Sequence, residues 1–382
     1  MVHWAIHYIV FFAMGLSCAV VKLSRALVVV LATVPGFSVA GTVSLPSYPL
    51  AVKNPYLSTW LPGNQVADVA TAQPEFWADQ DITWSILARV NSVTYALFGA
   101  PDTISNTTAA TTTGISYTSS HTLIDLTAGD ATFTLDFFSP VLPGTADYAR
   151  QSLPYSYLTV TVTSSGLDIQ VLSAIDQTWT AQDGAADLNY TTSGTAGLFW
   201  FYNPDQIPFT EDSDMATYGS VIFATTTGSA VTYACGAAAS VYEAFTSTGS
   251  LTASTSCAGT DLAALSRNLG SVSSTANVTF AVGFDREQAI NYLGNTQTGY
   301  YRSQWPTPPE AVEYFLSDYD AALATSITFD ADVRERAEAV SSTFGSNYAD
   351  IVEASVRQTF GAIELTVCKQ RIMLGDARLT EF

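Results

Sequence analysis

The chain has 382 residues, 48% of them hydrophobic, with 19 Tyr, 20 Phe and 7 Trp and a formal net charge of −20. That apolar content excludes a disordered chain, which needs low hydrophobicity, and the length exceeds what one ordinary domain holds. Residues 41–367 carry nine basic side chains, Lys53 the one lysine among them, against 32 acidic ones. No basic stripe exists to neutralise phosphates, so nucleic acid is excluded as a partner.

Residues 4–21 (WAIHYIVFFAMGLSCAVV) form one apolar run. Lys22 and Arg25 follow, and a second run, ALVVVLATV, leads to FSVA before Gly41. From Met14 onward, the order of basic, apolar and small-residue segments reads as a signal peptide cleaved near Ala40, which makes 1–40 an export segment. A membrane anchor at 4–21 is the alternative, although that run barely reaches spanning length and carries His7. Export implies a secreted protein in an oxidising compartment. There Cys235 and Cys257, 22 positions apart, are expected to pair, with free buried thiols as the alternative. Three sequons, at Asn106, Asn189 and Asn277, are expected to carry N-glycans.

Residues 41–284 read as strands and turns. Alternation is clear in TFTLDFFSP (132–140), SYLTVTVTS (156–164), LDIQVLSAI (167–175), SVIFATT (220–226) and VTFAVGF (278–284). Gly, Pro, Asn, Asp and Ser clusters separate them, which predicts a large antiparallel β-sandwich, and the chain as a whole is mainly β. After Phe284 the texture becomes helical. DREQAINYLG (285–294) reads as a short helix ended by Gly294. TPPEAVEYFLSDYDAALATS opens on a strong start, with Thr307 as cap, Pro308 at the first position and Glu310 completing a capping box. A further helix is expected over about 330–342, capped by Asp330 or Asp332. Another is expected over about 347–367, where Val352, Val356, Phe360, Ile363 and Val367 would form a buried stripe. Residues 368–382 hold three basic residues in 15 and no amphipathic pattern. They read either as an ordinary basic tail or as a stretch outside the native reading frame.

Elimination narrows the chemistry. His121 is the one histidine within 41–382, in a context that suits a surface or packing residue, so His-based nucleophilic machinery has a single position to draw on. There is no H-E-x-x-H, no zinc-spaced Cys/His cluster, no G-x-S-x-G, no S-x-x-K and no Gly-rich phosphate loop. Neither a metal nor a cofactor is therefore expected. Carboxylates acting as general acid and base on a bound water remain, the chemistry that glycoside hydrolases also use. One region gathers aromatics beside polar groups in a way that suits a small ligand or a sugar: Tyr56, Trp60, Trp77 and Trp84 with Asp79, Asp81 and Arg89. Packing of the same indoles in the sandwich core is the competing reading for each.

Longer stretches are more specific. SYPLAVKNPYLSTWLPGNQ, FWADQDITWSILARV, AVGFDREQAINYLG, YYRSQWPTPPEAVEYFLSDY and NYADIVEASVRQTFGAIELTV, in this order across about 45–367, resemble the fungal secreted glutaminase A family. The resemblance implies a β-sandwich over 41–284, followed over 285–367 by the first helices of an (α/α)-barrel-like domain. It also implies extracellular hydrolysis of L-glutamine to L-glutamate and ammonia, hence a small-molecule substrate. In that family the chain continues past the segment matching SVRQTFGAIELTV, so the helical domain is expected to be incomplete here. It transfers no catalytic residue to a position of this sequence. A glycoside-hydrolase-like or carbohydrate-binding protein, with a cell-wall glycan as partner, is the alternative.

Overall fold

The computed structural model describes residues 41, 43–77, 80–101, 104–142, 147–180, 186–259, 262–340 and 343–368. The expected export segment and most of the basic tail lie outside them. Among the described residues, no helix is long and apolar enough to cross a membrane.

The alternating segments build two stacked sheets. The smaller has six strands, in the order Val231–Gly236, Leu262–Val272, Leu167–Ile175, Trp84–Val90, Val93–Phe98 and Thr107–Ala109, antiparallel except for the last pair. The larger has nine antiparallel strands: Ser256–Gly259, Ala186–Ser193, Ala196–Tyr202, Ser220–Thr226, Thr275–Asp285, Tyr155–Thr163, Ala131–Phe138, His121–Ala128 and Thr111–Tyr117. Period-two alternation sends successive side chains to opposite faces. In Tyr155–Thr163, Leu158, Val160 and Val162 enter the core between the sheets, whereas Tyr155 and Tyr157 face outward beneath a helix. Cys235 and Cys257 form the expected disulfide, which joins an edge strand of one sheet to an edge strand of the other.

Five α-helices are described: α1 (Tyr148–Gln151), α2 (Ala238–Thr248), α3 (Pro308–Ser317), α4 (Tyr319–Val340) and α5 (Ser346–Gly361). α2 covers the outer face of the six-stranded sheet with Val241, Tyr242 and Phe245. α3 covers the outer face of the nine-stranded sheet with Ala311, Val312, Phe315 and Leu316. The capping box at Thr307 forms, and the Glu310 carboxylate accepts from both the Thr307 N–H and its hydroxyl.

Three local expectations are corrected. Residues 285–294 are not helical. Ile290–Tyr292 and Asn295–Gly299 form a hairpin whose turn residues, Leu293 and Gly294, both have positive φ, the backbone of a type I′ turn. Thr366–Cys368 then adds as a third strand, so the last described residues return to the hairpin. Secondly, the helical break falls at Asp318 rather than near 330, and α4 runs through Asp330 and Asp332 without one. Asp318 ends α3 and accepts two hydrogen bonds from the Arg150 guanidinium at 3.0 and 2.7 Å, which anchors the corner to α1.

The third correction concerns α5. The helix stops at Gly361, and the expected apolar stripe is not its buried face: Val352, Val356 and Phe360 are half-buried and Ile363 is exposed. The buried face carries Ala349, Asp350, Glu353, Arg357 and Gly361. Gly361 lies so close to the first strand of the chain, Ser47–Asn54, that a Cβ there would stand 2.3 Å from Val52 Cγ1. Charges can occupy this face because α4 and the Thr118–His121 turn supply partners. Arg334 donates to Asp350 at 2.9 Å and Glu353 at 2.8 Å, Thr118 and Ser120 donate to Asp330 at 2.5 and 2.7 Å, and Arg357 donates to the Ser119 carbonyl at 3.3 Å. Buried charges persist only when paired in this way.

Candidate functional site

A cleft of about 650 Å³ opens where three neighbouring strands of the nine-stranded sheet meet the entry to α3. Trp200, Ser220 and Asp285 come from those strands, Gln206, Tyr218 and Gly219 from the loop that connects two of them, and Arg302 and Pro306–Pro309 from the approach to the helix. Asp285 is almost fully buried, and its two carboxylate oxygens accept from the Tyr301 hydroxyl and the Arg302 guanidinium. Burial first, and the Asp285 charge next, hold the Tyr301 phenol well above its usual range, so it stays a proton donor to Asp285. Arg302 keeps its charge beside Asp285.

The cleft floor requires a glycine. Gly219 has φ near +109°, and a Cβ there would stand 2.7 Å from Arg286 Cγ. Gln206 clamps it from both sides, accepting from its N–H at 2.9 Å and donating to its carbonyl at 2.7 Å. Behind the floor, Arg286 donates to the Tyr218 hydroxyl and the Ala289 carbonyl and pairs with Glu364. Its guanidinium lies 3.9 Å from the centre of the Tyr56 ring. Two donors in the wall, Trp200 Nε1 and Arg302 Nε, meet no hydrogen-bond acceptor in the structure. Both nitrogens are themselves shut off from solvent, and buried donors without a partner are uncommon. The cleft is thus lined by polar side chains, Asp285, Arg302, Gln206 and Gln288 among them, beside the Trp200 indole.

The sequence-predicted residues scatter around the sandwich. Trp60 and Trp77 come together in a second groove, described below. Trp84 is buried in the core with its N–H on Ser173, 3.2 Å away. Arg89 donates to the carbonyls of Thr246 and Ser247 at the end of α2. Tyr56 sits under Arg286 with its hydroxyl on Glu211. Asp81 is exposed, and Asp79 lies outside the described residues. Asn106, Asn189 and Asn277 are all exposed. His121 is a packing residue: fully buried, 2.8 Å from Asp136 through Nδ1 and stacked on Phe138. Among the described residues, no group of three or more His, Cys, Asp or Glu could hold a metal ion.

Sequence reasoning missed Asp285 and Arg302. A usable signal was present, since five of the nine basic residues within 41–367 follow Phe284: Arg286, Arg302, Arg334, Arg336 and Arg357. Four of these five are substantially buried in polar contacts, Arg336 being the exposed one.

By fold and cleft, this is a two-sheet sandwich with an appended helical segment and a polar cleft at their seam. Residues 120–336, more than half of the chain, match the family described as "Domain of unknown function (DUF5127)". The chain is 34% identical over 344 residues to "Glutaminase A" of Aspergillus oryzae, covering 84% of this chain and 49% of that protein. It is 28% identical over 198 residues to "Probable glutaminase" of Arthroderma benhamiae, covering 46% of this chain and 22% of that protein. The chain belongs to the DUF5127 family and is of the fungal glutaminase A type. It spans about half the length of the first relative and about a fifth of the second.

Proposed function

We propose that the chain forms the sandwich portion of a secreted glutaminase-type amidohydrolase, and that its polar cleft receives L-glutamine. The observation that carries this reading is the 34% identity to Glutaminase A across 84% of the chain. The cleft chemistry supports it, because an amino acid presents charged and amide groups, and the wall carries the polar side chains of Asp285, Arg302, Gln206 and Gln288. Two of the stretches that carry the family resemblance, AVGFDREQ and YYRSQWPTPPE, supply facing sides of this cleft. In the reaction water adds to the side-chain amide carbon, the C–N bond breaks, and ammonia leaves with a proton from the water. A carboxylate fixed by two donors is suited to orient or deprotonate that water.

The test is ammonia release from L-glutamine by the purified chain from acidic to neutral pH, paired with calorimetric titration of glutamine. Asp285→Asn is expected to lower kcat/KM by roughly 10²-fold or more. Neither heat of binding nor ammonia at any pH would sink the reading. The helices after Pro308 belong, on this proposal, to an (α/α)-barrel-like domain whose sandwich-facing layer is α3 to α5. Export rests on the apolar run before Gly41, the disulfide and the three exposed sequons. Expression in a fungal host should yield culture-medium protein whose electrophoretic mass falls on treatment with an N-glycosidase. Retention in the cell with no mass shift would count against secretion.

A further inference from the structure

A second groove, about 430 Å³, runs between the first two strands of the chain, Ser47–Asn54 and Leu57–Pro62, and α5. Trp77 stands at its mouth with 63% of its surface exposed, although large aromatics are costly to leave in water. The exposure is built into the backbone. Phe76, the residue before it, is buried in the core, and a turn closes around Trp77 through Phe76 N–H to Gln80 at 2.9 Å and Gln80 N–H to Trp77 at 3.0 Å. Glu75 exchanges both backbone hydrogen bonds with Trp60, at 2.8 and 2.9 Å, so the two indoles are carried on paired segments. Trp60 donates its N–H to Ser58 at 2.8 Å and is half-buried in the groove wall.

The opposite wall is the half of α5 that carries Ile351, Ser355 and Gln358. Among the described residues, no cationic side chain lines the groove, and the chain carries a net charge of −20, so the groove as described offers phosphates and acidic polymers no complement. What it offers is two flat indoles bordered by hydroxyl, amide and carboxylate groups. That combination matches a pyranose ring, whose C–H face is apolar and whose rim is hydroxyl. A purely aliphatic ligand would leave the polar rim unused. We propose that this groove binds a neutral glycan, with sugar rings stacked on Trp77 and Trp60 and hydroxyls meeting Gln358 and Ser355. The proposal is independent of the glutamine reading, since none of these residues lines the polar cleft.

The experiment is native affinity electrophoresis of the full chain in gels with and without laminarin or hydroxyethylcellulose. Tryptophan fluorescence titration with chitohexaose accompanies it. Wild type should be retarded by at least one of the polysaccharides or show saturable quenching, and Trp77→Ala should weaken that binding by about tenfold or more. Trp77 is largely exposed, so the variant should fold, and its ammonia release from L-glutamine should match wild type. Migration unaffected by either polysaccharide, together with no quenching, overturns the proposal. So does a Trp77→Ala variant that binds as wild type does. If Trp77→Ala instead converts a sedimenting dimer to a monomer and no glycan binds, the groove is a contact between copies, and the proposal also falls.

Discussion

Replacing Arg334 with methionine is expected to lower the free energy of unfolding by about 3–5 kcal/mol. Arg334 lies in the middle of α4 and is nearly inaccessible to solvent. Its Nη1 donates to Asp350 and Glu353, both fully buried on α5, and its Nε reaches Glu338 at the rim, 3.1 Å away. Methionine preserves much of the length and packing, so what is lost is the positive charge. The buried Asp350 carboxylate would then have lost its cationic partner, with Glu353, whose carboxyl burial already raises to about 8, beside it. Removing one partner of a buried ionic group costs far more than the intact group contributes, because the remaining charge has no water to return to. Urea unfolding at pH 7 followed by circular dichroism measures the effect. A loss smaller than about 1 kcal/mol would mean that the carboxylates simply take up protons when the guanidinium is gone.

Protonation of this cluster leads to the second large effect. Burial raises the Glu353 carboxyl from 4.5 to about 8, against the opposing pull of Arg334. The folded value therefore lies above the unfolded one. The stability this group contributes is complete below about pH 4.5 and is lost as the pH rises through about 8. Glutamine mimics the protonated acid and does not titrate. Glu353→Gln should accordingly gain on wild type by up to about 1.4 kcal/mol per pH unit between pH 5 and 8, with the difference levelling off above that range. Comparing the two proteins removes other titrations from the result. One is that of Lys53, which burial, then Arg357 and Arg150, hold down to about 7 in both. Thermal melts from pH 5 to 9 provide the measurement, and a difference that stays flat across the series would show Glu353 ionised throughout in the folded protein.

Both effects arise at a place that periodicity misdescribed. Val352, Val356, Phe360, Ile363 and Val367 satisfy helical spacing, and spacing assigns burial to apolar residues. Yet α5 turns Asp350, Glu353 and Arg357 inward, because α4 and the Thr118–His121 turn bring Arg334 and the Ser119 carbonyl to meet them. Those partners lie 16 to 238 positions away in sequence, beyond any local window. The hairpin at 290–299 shows a smaller failure of the same kind. Leu293-Gly294 is a turn when Asn295–Gly299 has Thr366–Cys368 to pair with, whereas the local pattern alone reads as a helix stopped by glycine. Of the predicted ligand surface, Trp60 and Trp77 converge in one groove, while Trp84 belongs to the core and Arg89 to the α2 end.

By itself the sequence determined the two-sheet body, the start of α3 and the cystine. Strand alternation, a capping box and an isolated cysteine pair are short-range or composition-limited signals, legible without knowing what lies across the core. Only the tertiary structure decided where charge is buried and where the polar cleft opens. Asp285 and Arg302 become one site because the end of a central strand and the approach to α3 meet there, bringing Trp200 and Gly219 from a nearby strand and loop to complete the wall. Burial of a charge depends on the partners that reach it, and those are chosen by packing rather than by neighbours in the chain.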